Sequence, residues 1–64
     1  MLTDWELWAC ANHYAEKHGN DAAVVVALRA DELLTEQDYD GVRNFTAIIT
    51  RINWLLEGPR GPLH

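Results

Sequence analysis

The stretch HGNDAAVVVALRADELL, His18 to Leu34, decides the fold class of this chain. Its valine triplet, Val24 to Val26, favours β structure when taken alone. Read as a strand, it would need a pairing partner, and no other segment of the chain has strand character. The flanking residues also argue for a helix. LRADELL is built from strong helix formers, and Asn20 or Asp21 can serve as an N-cap. The stretch is therefore read as a helix over 21–36, and the whole chain becomes all-α.

Moving toward the N-terminus, Gly19 follows Lys17 and His18, two cations suited to the last turn of a preceding helix. That helix has a well-marked start. Thr3 and Glu6 have the spacing of a capping box, and Leu2 and Leu7 that of a hydrophobic staple. It is assigned to 4–18. Toward the C-terminus, Asp38 or Asp40 opens a third helix over 39–57, closed by Gly58 and Pro59. Val42, Phe45, Ile49, Ile52 and Leu56 form its apolar stripe, with Gly41 a weak point in the first turn. The expected architecture is a small three-helix bundle over residues 1–57, with a flexible, disordered tail over 58–64. The second possibility is a helical hairpin that completes its core by dimerising.

The chain has 64 residues, which fits one domain. A domain of this size buries only about 60% of its unfolded surface and has little room for an internal cavity. Ten acidic residues against five basic ones give a net charge of -5. That excess opposes nucleic acid and anionic membrane surfaces and suits a basic protein partner. The third helix carries only Arg43 and Arg51 as cations, so no basic face for DNA is expected. The longest apolar run, Ala22 to Leu28, is too short to span a bilayer, and no signal peptide is expected. A single cysteine, Cys10, rules out an internal disulfide, and a bacterial-type cytoplasmic protein is the expectation.

Placing side chains at about 100° per residue separates used faces from spare ones. On the first helix Leu7, Trp8, Ala11, Tyr14, Ala15 and His18 face the core. Glu6, His13 and Lys17 lie opposite, Cys10 on the boundary and Trp5 on the other flank. On the second, Ala23, Val26, Ala27, Ala30, Leu33 and Leu34 cluster, while Val24 and Leu28 point away with Asp31 and Thr35. On the third, Trp54 falls opposite the stripe beside Ala47 and Arg51, and Ile48 and Leu55 flank the core. Trp54 is expected to fold over Arg51, to lie under the tail, or to meet a partner.

Cys10 and His13 stand one helical turn apart, with Glu6 a turn earlier. Zinc needs at least three protein ligands and usually four, and no second paired motif exists, so no metal and no cofactor are expected. As a nucleophile–base pair, Cys10 and His13 lack an orienting group and oxyanion donors, and no enzyme activity is expected.

The segments ELWACANHY, HG, LRADELL and RIN resemble short uncharacterised helical proteins of alphaproteobacteria, of the sphingomonad type, over roughly residues 3–57. The resemblance implies a small helical domain and carries no functional residue. EQDYDGVRNFTAI also looks like the helix-turn-helix junction of a tetratricopeptide repeat, but one unit cannot form a repeat core.

The expected function is a non-catalytic interaction module that self-associates through Trp5, Val24, Leu28, Arg51 and Trp54. The alternative is an acidic decoy or inhibitor, phage- or defence-related, docking on a basic enzyme through Asp31, Glu32, Glu36, Asp38 and Asp40. Helix capping alone accounts for Asp38 or Asp40.

Overall fold

A computed structural model describes residues 1–58, and of the tail expected over 58–64 all but Gly58 lies outside the described residues. The described chain is all helical, with α1 at Asp4–His18, α2 at Ala22–Thr35 and α3 at Tyr39–Glu57. No helix among the described residues is long and apolar enough to cross a membrane.

Local chemistry sets the start of α1. The Glu6 amide donates to Thr3 Oγ1 at 3.2 Å, and the Thr3 amide donates to Glu6 Oε1 at 2.9 Å, completing the capping box. The Leu2 amide donates to Asn44 Oδ1 at 3.1 Å, which ties the N-terminus to α3.

The junction after α1 differs from expectation. Gly19 has φ of 56°, and its amide donates to the Ala15 carbonyl, as a helix-ending glycine does. The chain then stays helical through one 3₁₀ turn, Gly19–Asp21, and enters α2 directly. Asp21 has helical backbone angles and makes no side-chain cap bond. Carbonyls of the 3₁₀ turn do that work instead, since the Ala22 amide donates to Gly19. The segment from Asp4 to Thr35 is thus one helix bent near Gly19. Run straight, it would extend roughly 48 Å at about 1.5 Å per residue. The molecule is 38 Å in its longest dimension and 21 Å in the others.

The all-helical expectation therefore holds, but the three separate rods become a bent rod with α3 packed against both of its arms. Each arm packs more against α3 than against the other arm. The core forms where all three segments converge. Leu7 and Ala11 of α1, Ala22 and Val26 of α2, and Ile48 and Ile52 of α3 are all buried. Two of these are alanines, Ala11 within α1 and Ala22 just after the bend, and their small side chains let the backbones approach closely.

Serving two neighbours also rotates the buried arc of α3. Ile48, expected at the flank, is fully buried, and Ala47 packs against the core. Leu56, expected in the stripe, is 40% exposed. On α2, Leu33 is buried but Leu34 faces solvent, because α2 ends there and α3 covers only one side.

The α2–α3 turn is closed by a Schellman arrangement. The Asp38 amide donates to the Leu33 carbonyl at 2.8 Å, and the Gln37 amide to Leu34 at 3.0 Å. Gln37 takes the left-handed position with φ of 63°. Asp38 then caps α3 by accepting from the Gly41 amide at 3.0 Å.

Gly41 now has a reason. A Cβ there would lie 2.8 Å from Asp38 Oδ2 and 3.0 Å from Leu33 Cδ1. Gly41→Ala would gain about 1 kcal/mol of helix propensity. Relief requires the Asp38 carboxylate to swing off its cap, losing about 1 kcal/mol, and Leu33 to shift as well. The expected net result is a loss of roughly 0.5–1 kcal/mol in a urea denaturation series. A clear gain in stability would show that neither contact matters.

Candidate interaction surface

The five apolar or cationic residues expected to meet a partner fall into two groups on different helices. Val24 and Leu28 sit one turn apart on α2, and Trp5, Arg51 and Trp54 belong to α1 and α3.

The α2 pair is where the helical period places it. Val26 is fully buried against α3, while Val24 and Leu28 are 60% and 61% exposed. Asp31 and Thr35 share their outward side, as expected, and both are exposed. Leu34 adds a third exposed aliphatic side chain toward the end of α2.

The second group is partly consumed by the fold. Arg51 is not an outward cation. Its guanidinium donates through Nη1 to the Ala47 carbonyl at 3.0 Å and through Nη2 to Asp4 Oδ1 at 3.3 Å. The same group lies 5.4 Å from the centroid of the Trp8 ring, a cation–π distance. Of the three readings for Trp54, the stack on Arg51 gives way to a stack of Arg51 on Trp8, which α1 inserts beside them. Trp54 meets Trp8 edge to face, with centroids 5.8 Å apart and planes at 79°. Trp54 remains about half exposed, at 52%. Its open side borders a shallow groove formed with Thr50, Asn53, Glu57 and Gly58. Trp5 stands 78% exposed on α1.

The five carboxylates of the acidic alternative are all exposed. Three are already engaged. Glu32 accepts from Arg29 at 3.0 Å, Asp40 pairs with Arg43, and Asp38 caps α3. The Glu32 hydrogen bond also raises the pKa of Arg29. Asp31 and Glu36 complete the set.

Cys10 is half-buried at the edge of the core, and His13 is exposed with its ring edge against Tyr14. His18 stacks on Tyr14, and Tyr14 meets Phe45 of α3 edge to face. Both histidines of α1 thus serve an aromatic ladder that joins α1 to α3. No group of three or more metal-binding side chains is gathered among the described residues.

Sequence periodicity missed Leu34 and Leu56 as exposed residues, because it fixes a helix's apolar side but not how far a neighbour extends along it. Compared with protein-family models, with curated proteins and with solved structures, the chain matches none.

Proposed function

We propose that this chain is a small non-catalytic interaction module that self-associates weakly through the outward face of α2. The observation that carries this is the exposure of Val24 and Leu28 on a helix whose opposite side is fully buried at Val26. An outward valine does not help α2 fold, since it costs about 0.5 kcal/mol in helix propensity relative to alanine. Paired with Leu28 one turn on, it makes a small aliphatic patch that contact with another surface would cover. The proposal extends to the setting. The three helical segments act as one unit, and the resemblance to short alphaproteobacterial proteins favours a bacterial cytoplasm.

The strength follows from area. Pairing two copies covers four aliphatic side chains that are each already partly buried. At full burial each would contribute about 1.5–3 kcal/mol, so covering the exposed part of all four gains roughly 4–7 kcal/mol. Association itself costs at least about 4 kcal/mol. Self-association is therefore weak. Carboxylates beside the face meet their own copies in the pair, so added salt strengthens it by screening.

Light scattering across a concentration series tests this. The mass is expected to rise at high micromolar protein and to rise further with salt. Val24→Ser/Leu28→Ser is expected to stay monomeric while keeping its melting temperature. A wild-type chain that stays monomeric at every salt concentration would refute the self-association.

A further inference from the structure

The apolar pair on α2 has acidic ends. Asp21 lies one turn before Val24, and Asp31 and Glu32 lie one turn after Leu28, so all share the neighbourhood of one helix face. Glu36 follows one turn after Glu32, and it too is exposed. The one cation of α2 is Arg29, and Glu32 holds it at 3.0 Å. The face is thus a short aliphatic stripe bracketed by negative charge at both ends.

We infer that the occupant this face fits best is a basic amphipathic helix of another protein. The inference rests on the interaction-module reading and assigns that same face a preferred partner. The partner would present two aliphatic side chains one turn apart, with Lys or Arg a turn beyond each. The aliphatic pair would cover Val24 and Leu28, and the cations would meet Asp21 at one end and Asp31 at the other. A second copy of this chain offers the first feature without the second, and it sets carboxylate against carboxylate. Nucleic acid and anionic membrane are repelled by the same charges. The net charge of -5 adds a long-range attraction for a basic partner during encounter.

A synthetic leucine–lysine amphipathic peptide, end-labelled and read by fluorescence anisotropy against the full chain, tests the inference. Its counterpart with glutamate in place of lysine is the charge control. The lysine peptide is expected to bind, and to weaken roughly tenfold as salt rises from about 50 to about 300 mM, while the glutamate peptide does not bind. Leu28→Ser and Asp31→Lys are each expected to weaken binding about tenfold or more. Glu16→Lys makes the same charge change on the exposed side of α1. It is expected to weaken binding several-fold less than Asp31→Lys does, because it adds no like charge against the peptide's own cations at Asp31.

Equal losses for Asp31→Lys and Glu16→Lys would mean attraction to overall charge, and the proposal would fall. Binding that survives Leu28→Ser would overturn it as well. The salt signs separate the two readings of this face, since salt strengthens the self-pair and weakens the basic complex. If the peptide does not bind while the chain still self-associates through Leu28, the basic-partner proposal fails and the module reading stands. If neither occurs, both fail.

Discussion

Ile52→Ala is expected to remove about 3–4 kcal/mol of stability and to lower the melting temperature by roughly 12–32 °C. A chain of this length has roughly 3–10 kcal/mol in total, so the variant would sit near the edge of folding. Ile52 is fully buried where α1 and α2 both meet α3. Removing its side chain leaves a cavity bounded by three helices. The bend at Gly19 is continuous in backbone hydrogen bonding with both arms, so neither arm can swing inward to fill the space without breaking its junction. The site relaxes little, which keeps the cost above the lower end of the range for this substitution.

Leu56→Ala is the internal control. Helical period puts Leu56 in the same stripe as Ile52, one turn on, yet it is 40% exposed. Its truncation is expected to cost about 1 kcal/mol or less. Chemical denaturation monitored by circular dichroism separates the two. Equal costs at the two positions would mean that the simple stripe describes α3 better than the rotated arc does.

That contrast shows where sequence reading succeeds and stops. The capping box of Thr3 with Glu6, and the cap of α3 to within Asp38 or Asp40, were legible because each is settled by side chains within three residues of the backbone group they satisfy. The ends of α1 and α3 follow from the same local rules. Gly19 carried the correct local signal, a left-handed glycine closing a helix. What it could not reveal was that Asn20 and Asp21 would keep helical backbone and turn a break into a bend. That outcome depends on α3 offering one surface to both arms. The position of the buried arc on α3 is likewise a property of its neighbours, since a helix clasped on two sides buries a wider and differently centred arc than its own pattern indicates.

The candidate surface divides in the same manner. Val24 and Leu28 were legible because α2 has one buried side and the period alone sets its opposite. A stack of Trp54 on Arg51 is one of three readings open for Trp54, suggested by their lying one turn apart on one helix. Trp8 arrives from α1, and no local spacing announces that approach.

Trp8 is therefore the position at which the second large effect is expected. Trp8→Ala should cost about 2–3 kcal/mol, more than Trp54→Ala, which should cost about 1–1.5 kcal/mol. Trp8 is half-buried and serves two partners at once, the Arg51 guanidinium at 5.4 Å and the Trp54 ring at 5.8 Å. Its loss removes a cation–π contact of about 0.5–1 kcal/mol and an edge-to-face contact of about 0.5–1.5 kcal/mol, with the apolar area of the indole added. Arg51 Nε, which is buried without a hydrogen-bond partner, would then gain access to water and recover part of that loss. Trp54→Ala removes only the edge-to-face contact and the half of the ring that is covered. A double-mutant cycle isolates the shared part. The coupling between the two tryptophans is expected at about 0.5–1.5 kcal/mol, because each is the other's ring partner. A coupling near zero would mean that the edge-to-face pair contributes nothing to the fold. Trp54 would then be available in full to an outside partner, and the shallow groove beside it would compete with the α2 face as the principal binding surface.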